Sequence, residues 1–175
     1  MFLAGSRFIF FLAFAVGALV LGATFYLEYG PGLKPCWLCQ VQRFFLLGFC
    51  FVNLMAYAHA PKRVGLWCYS LASSLFALGG AASALRQVWL QQLWPDQLVG
   101  CPPEVACSWH DMSAWEIISM IYRGSEDCAH VHWTVFDLSI PELSLLAFLV
   151  LIALGLFQIS RSLNCYKLPR GCDVK

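Results

Sequence analysis

The chain has 175 residues, of which 60% are hydrophobic and only 12% are charged. This composition is unusual for a soluble domain of such length and is typical of a protein that crosses a membrane several times. The formal net charge is only +1, which gives no indication of a basic surface for nucleic acid. Composition therefore predicts a membrane protein that is in contact with lipid and has no nucleic-acid partner.

Four stretches without a charged residue predict four membrane-spanning helices. A helix needs about 20 residues to cross the hydrocarbon, and each stretch has roughly that length. The first is interpreted as a span and not as a cleaved signal peptide, because its apolar run is long and no Ala-x-Ala site follows it. The predicted fold is an all-α, four-helix membrane bundle in one domain over 1–175, with spans at about 8–27, 44–60, 64–85 and 143–160.

Basic residues predict the orientation of this bundle. They lie before the first span at Arg7, between the second and third spans at Lys62 and Arg63, and in the tail after the fourth span. The positive-inside rule places these segments, and both termini, in the cytoplasm. Two loops then face the outside: a short one at about 28–37 and a long one at about 91–142.

The most informative motif is the CxxC pair of Cys36 and Cys39, at the start of the second predicted helix. A pair so close in sequence closes a ring that constrains the chain very little, so it is better suited to thiol exchange than to bracing. Thiolates are favoured at helix N-termini and near cations, and Arg43 follows Cys39 by one helical turn. Arg43 can also donate hydrogen bonds to a carbonyl ligand. The alternatives are half of a zinc site and a snorkelling role for Arg43, and a redox role is the preferred interpretation.

Three further cysteines, Cys101, Cys107 and Cys128, lie in the predicted long outer loop. Disulfides persist outside the cytoplasm, and a loop with little core of its own gains stability from a crosslink. Structural disulfides in a non-enzymatic membrane protein are therefore a second interpretation. In the same loop, apolar spacing over 111–122 predicts a short amphipathic helix, which lies either on the membrane surface or over the mouth of the bundle.

Several motifs, taken in order, closely resemble those of the disulfide bond formation protein B (DsbB) family. They are Lys34-Pro35-Cys36-Trp37-Leu38-Cys39 with Arg43, then Leu85 to Gln91, and then Arg123 to Ala129 with Trp133. The resemblance covers nearly the whole chain. It implies a bacterial inner-membrane enzyme that reoxidises a periplasmic DsbA-like oxidase of the thioredoxin fold and passes the electrons to membrane quinone.

The resemblance also implies a role for each of four cysteines. Cys101 and Cys128 would form the disulfide that the soluble partner attacks, with Cys101 taking the transient intermolecular bond. Cys128 would then attack Cys36, which releases Cys39 towards the quinone. Cys107 leaves the partner of Cys128 open, because loop-closure entropy hardly separates the two rings. The resemblance favours Cys101.

The quinone site implied by the resemblance contains two further residues. Arg43 matches the quinone-site arginine of the family, and Gln92 stands where some relatives carry a quinone-proximal His and can still donate a hydrogen bond. The sequence does not distinguish ubiquinone from menaquinone. A related interpretation is a membrane redox protein of the vitamin K epoxide reductase kind. In that group the CxxC lies near the end of a later helix, whereas here it precedes the second.

Overall fold

The computed structural model describes residues 2–30, 36–61, 63–91, 115, 134–135 and 138–167. Four long helices account for most of these residues, and a short antiparallel pair of strands precedes the last helix. The helices are α1 (Phe2–Tyr29), α2 (Trp37–His59), α3 (Arg63–Gln91) and α4 (Ile140–Lys167). The strands, which the sequence did not predict, are β1 (Thr134–Val135) and β2 (Leu138–Ser139).

The four helices form the predicted membrane bundle. Each is long and apolar enough to cross a membrane, over Arg7–Tyr29, Leu38–His59, Val64–Gln91 and Ile140–Ser160. They pack as a ring, in which α2 contacts α1 and α3, and α4 contacts α3 and closes the ring against α1. The packing of α1 against α4 is the least extensive of the four. The fold class predicted from the sequence is therefore confirmed.

The outside of the bundle is apolar, as contact with lipid requires, and polar side chains of its interior are hydrogen-bonded to one another. Large apolar side chains are exposed on the outside, at Leu19, Phe51, Leu75 and Leu156. Asn53 is fully buried, and its amide donates a hydrogen bond to the Ser73 hydroxyl at 2.8 Å while its carbonyl accepts one from Gln158 at 3.0 Å. These bonds connect α2 with α3 and α4, and polar contacts of this kind stabilise helix association where no water is present.

Two adjacent glycines let α3 approach its neighbours closely. Gly79 faces the ring of Phe45 in α2, and Gly80 faces the ring of Phe148 in α4. A methyl group at either glycine would overlap the ring that it faces. Phe148 is buried, so its ring has little room to move away. Small residues at such positions are typical of helix contacts in membranes.

The helices extend beyond the apolar runs that the sequence marked. α1 continues to Tyr29, so Glu28 lies in its last turn and not in a loop, and α2 begins at Trp37, well before Phe44. α4 likewise begins at Ile140. Polar side chains near these helix ends form hydrogen bonds within the bundle. Such pairing allows polar residues at the edge of the bundle to remain part of a helix.

The start of α4 is connected to the end of α3. Glu142 accepts a hydrogen bond from the backbone N–H of Ser139 at 2.7 Å, which is the arrangement of a Ser-x-x-Glu helix start. The Ser139 hydroxyl lies 2.9 Å from the Glu142 carboxylate and 3.1 Å from the Gln91 side-chain oxygen. The amphipathic helix predicted over 111–122 lies outside the described residues, except for Trp115, which is exposed.

Candidate dithiol site

Cys36 and Cys39 lie together at the N-terminus of α2. Cys36 is the N-cap residue, with an extended backbone (φ −74°, ψ 171°), and its carbonyl accepts a helical hydrogen bond from the Gln40 N–H at 3.1 Å. Cys39 lies in the first turn, and the two Sγ atoms are 3.1 Å apart. Because a disulfide bond is about 2.05 Å long, small side-chain rotations suffice to join the sulfurs. Both side chains are partly exposed.

The position of this pair favours the thiolate form of cysteine. The first N–H groups of an α-helix have no acceptor within the helix, and they give the N-terminus a partial positive charge. Cys36 is the N-cap of this first turn, and Cys39 lies within it. A negative charge on either sulfur is therefore stabilised before any side chain contributes.

The side-chain amide of Gln87, near the end of α3, contacts both sulfurs. Its Nε2 lies 3.4 Å from the Sγ of Cys36 and 3.4 Å from the Sγ of Cys39, and it donates to both. Its Oε1 accepts a hydrogen bond from Gln42 Nε2 at 2.8 Å and lies 3.7 Å from the Cys39 Sγ. Gln87 and Gln42 are 4% and 7% exposed. A buried amide of α3 thus contacts both sulfurs, and a buried amide of α2 is bonded to it.

Arg43 is held at the end of the bundle by three contacts to α1. Its guanidinium forms an ion pair with Glu28, donates to the backbone carbonyl of Thr24 at 2.8 Å, and lies over the ring of Phe25 at 4.9 Å from the centroid. The side chains of Arg43 and Glu28 are 11% and 25% exposed. A largely buried arginine with an aromatic ring beneath it has a fixed orientation.

A cavity of about 110 Å³ lies between α1, α2 and α4, next to the dithiol. Its polar lining includes Cys39, Arg43 and Glu28, whereas Cys36 does not line it. The rest of the lining is mostly apolar and includes Val20, Leu27, Leu46, Ala147, Phe148 and Leu151. Because α1 and α4 pack least extensively, the cavity lies where the ring of helices is loosest.

The structure brings together three of the six residues that the sequence marked as a site: Cys36, Cys39 and Arg43. The other three, Cys101, Cys128 and Gln92, lie outside the described residues. The sequence indicated no role for Glu28 and Gln87, which contact these groups, or for Gln42, which is bonded to Gln87. The sequence did contain a signal for these three residues. A polar or charged side chain within or beside an apolar span is usually buried against a partner and is often functional.

Fold and site together define a class of protein. It is a membrane protein with a four-helix bundle and a dithiol at the N-terminus of one helix, beside an apolar cavity. A sequence model of the family described as Disulfide bond formation protein DsbB matches residues 6–158. The chain therefore belongs to the DsbB family, whose name refers to disulfide bond formation, an oxidoreductase activity.

Individual relatives are similar over most of their length. Disulfide bond formation protein B of Stutzerimonas stutzeri is 40% identical over 159 residues, which cover 91% of this chain and 98% of the relative. Disulfide bond formation protein B 2 of Pseudomonas fluorescens Pf0-1 is 42% identical over 92% of this chain and 88% of the relative. Disulfide bond formation protein B 1 of Pseudomonas aeruginosa is 41% identical over 91% and 98%. No solved structure matches the chain.

Proposed function

We propose that this protein is a quinone-dependent thiol oxidase of the bacterial inner membrane. It takes electrons from the dithiol of a periplasmic DsbA-like oxidase of the thioredoxin fold and passes them to membrane quinone, either ubiquinone or menaquinone. The observation that carries the proposal is the placement of the CxxC pair. Its two sulfurs are in contact at a helix N-terminus, and Cys39 lines an apolar cavity beside Arg43.

The proposed orientation has the CxxC end of the bundle in the periplasm and both termini in the cytoplasm. It follows from the positions of the basic residues. Arg7, near the N-terminus, lies at the opposite end from the dithiol, where it donates to the Tyr57 carbonyl at 3.3 Å near the end of α2. With this orientation the thiols face the compartment in which disulfides persist.

Electrons enter through the proposed loop disulfide of Cys101 and Cys128. A partner thiolate attacks Cys101, so that a mixed disulfide forms, the loop disulfide breaks, and Cys128 leaves as a thiolate. Cys128 then attacks Cys36, which forms a Cys128–Cys36 bond and breaks the Cys36–Cys39 bond, with Cys39 leaving as a thiolate. The partner's second thiolate displaces Cys101, and Cys101 displaces Cys36 from Cys128. The partner is now a disulfide, the loop disulfide is restored, and the CxxC pair holds two more electrons.

The driving force for this sequence must come from an acceptor more oxidising than the partner. A DsbA-like oxidase has a potential near −120 mV, so another dithiol has little power to reoxidise it. A bound quinone accepts two electrons and two protons. Cys39 is the sulfur placed to deliver electrons to it, because Cys39 lines the cavity and Cys36 does not.

The residues around the cavity fit the carbonyl edge of a quinone. The cavity is about 110 Å³, smaller than the cavity of about 150 Å³ that accepts a whole benzene ring, so a quinone ring enters it only in part. Arg43 supplies N–H donors for a ring carbonyl in a largely apolar setting, where such bonds orient a ligand. Gln92 is retained as a second proposed donor.

Reconstitution tests this function. The full chain is placed in vesicles with ubiquinone, a reduced DsbA-like oxidase is added outside, and partner thiols and quinone absorbance are followed together. We expect one pair of thiols to be lost for each quinone reduced, and neither change with Cys39→Ser. If the outer cysteines are only structural, the partner thiols persist and the quinone stays oxidised, which would contradict the proposal.

A further inference from the structure

We propose that Gln87 is a catalytic residue of the thiol exchange, with Gln42 as its positioning residue. The side-chain amide of Gln87 stabilises the negative charge that appears on the CxxC sulfurs when their disulfide is opened. The inference rests on the exchange chemistry proposed above. It concerns the sulfurs themselves and does not depend on which quinone is used.

The Gln87 amide lies equally close to the two sulfurs of the CxxC pair. An amide nitrogen carries two hydrogens, and the Nε2 of Gln87 is equidistant from the two sulfurs, at 3.4 Å from each. A single group therefore serves Cys36 and Cys39 without moving. When a thiolate attacks Cys36, the Cys36–Cys39 bond breaks and its electron pair leaves on Cys39, within reach of the amide.

The orientation of the Gln87 amide is set by a second glutamine, Gln42. The two ends of an amide have opposite hydrogen-bonding character, so Gln87 helps a thiolate only if its nitrogen faces the sulfurs. Gln42 Nε2 donates to the Gln87 Oε1 at 2.8 Å. This bond fixes the oxygen end of the amide and leaves the nitrogen end directed at the two sulfurs. Gln42 lies three residues after Cys39, on the same face of α2. The helix that carries the dithiol thus also orients the amide that serves it.

The burial of Gln87 makes the strength of its hydrogen bonds important. Gln87 is 4% exposed, and burying an amide is costly unless it is hydrogen-bonded. A neutral thiol is a weak acceptor, whereas a hydrogen bond to a charged sulfur is about twice as strong as a neutral one. The buried amide is therefore paired best in the state that has a thiolate. This is a donor placed in advance where charge develops.

The Gln87 oxygen adds a further property. It lies 3.7 Å from the Cys39 Sγ, which can donate to it as a neutral thiol. The amide can therefore contact Cys39 in both protonation states, through oxygen when the sulfur carries a proton and through nitrogen when it carries a charge. Such a group assists both formation and discharge of the thiolate.

The test measures thiolate formation directly on the full chain in detergent, without quinone or partner. The reduced protein is alkylated with iodoacetamide over a range of pH, and the peptide that contains Cys36 and Cys39 is followed by mass spectrometry. In Gln87→Met, which has similar volume but no amide, the pH of half-maximal alkylation rate should rise by about one unit. This equals a tenfold loss of thiolate below that pH, or about 1.4 kcal/mol. Gln42→Met should produce a smaller shift in the same direction.

A matched control is available in Gln158→Met. Gln158 is also a buried glutamine, 3% exposed, and donates to Asn53 in the interior of the bundle. This variant therefore has the same change in chemistry and a similar structural cost, but we expect the pH profile of the CxxC pair to be unaltered. An equal shift in Gln158→Met and Gln87→Met would overturn the proposal, as would no shift in either.

A redox equilibrium provides a second readout in case the methionine variant folds poorly. Stabilising the reduced form makes a dithiol couple more oxidising. Gln87→Leu and Gln87→Met should therefore shift the CxxC equilibrium with glutathione towards the disulfide by up to about tenfold, or about 30 mV. A wild-type equilibrium in whichever variant folds would overturn the role of Gln87. Since neither assay involves quinone reduction, failure here is distinguishable from failure of the proposed function.

Discussion

Replacing Arg43 by methionine is expected to separate two effects, on stability and on quinone binding. The guanidinium is paired with Glu28 and donates to the Thr24 carbonyl, so methionine leaves the Glu28 carboxylate without its cation. Removing one partner costs about 3–5 kcal/mol for a fully buried pair, whereas an exposed pair contributes about 0–1 kcal/mol. With 11% and 25% exposure, Arg43→Met should lower the free energy of unfolding by about 1–3 kcal/mol.

The double variant Glu28→Gln with Arg43→Met removes both charges and should recover much of this loss. The reason is that most of the cost of the single change is the unpaired carboxylate and not the missing attraction. Denaturant unfolding in detergent, in the absence of quinone, measures both free energies. A double variant that is as unstable as Arg43→Met would mean that the ion pair is not what holds Arg43.

Quinone affinity should not recover in the double variant. Both variants lack the guanidinium donors, and a hydrogen bond to a charged group contributes about 1.5–3 kcal/mol. We therefore expect the KM for quinone to rise by about tenfold to hundredfold in both, in the vesicle assay. Arg7→Met is a matched control that should leave the KM for quinone unchanged. Arg7 also contacts a backbone carbonyl and an aromatic ring, both of Tyr57, but at the opposite end of the bundle. If the double variant regains the wild-type KM, Arg43 is not the quinone donor.

Two further results are expected. Gly80→Ala should destabilise the bundle by about 1–3 kcal/mol because the new methyl overlaps the buried ring of Phe148. At Gly22 no atom of the described neighbouring residues lies within 4 Å of the new methyl, so Gly22→Ala should be neutral or stabilise by up to about 1 kcal/mol. Thermal unfolding compares the two variants, and equal changes would contradict the packing argument. Cys101→Ala should abolish the disulfide between this chain and its soluble partner on non-reducing gels while Cys107→Ala keeps it, and the opposite pattern would assign the reactive thiol to Cys107.

Much of the architecture could be read from the sequence because the membrane imposes a simple rule. Apolar runs of sufficient length become helices, since every backbone N–H and C=O must be paired within the bilayer. The start of α2 was also predictable, because a CxxC pair that follows Pro35 and precedes a long apolar run indicates the N-terminus of a membrane helix. The place of Arg43 in the site was predicted from its position one helical turn after Cys39.

The partners of these residues could not be read in the same way. Gln87 contacts Cys36 from 51 positions away, and Arg43 pairs with Glu28 of α1, 15 positions earlier. The sequence shows that these side chains are polar and lie near or within apolar spans, so that they need partners. Which partner each side chain contacts depends on how the helices rotate and pack against one another. α2 and α3 each contact more than one helix, so more than one partner is available to each side chain.

The extent of the helices was underestimated for a related reason. The spans predicted from the sequence end where charge or polarity begins, near Leu27 and Leu85. In the structure the helices continue to Tyr29 and Gln91, because Glu28 is paired with Arg43 and Gln87 with the dithiol. Polarity alone is a poor marker of a helix end when the polar group is satisfied inside the bundle.

The redox state of the CxxC pair in membranes tests most directly whether this pair exchanges electrons with membrane quinone. Membranes that contain the full chain are quenched with acid, alkylated, and analysed for the peptide that holds Cys36 and Cys39, with the quinone pool either reoxidised or kept reduced. With an excess of reduced partner present, we predict a disulfide while quinone is reoxidised and a dithiol when it is not. If the pair has the same redox state under both conditions, the account is contradicted.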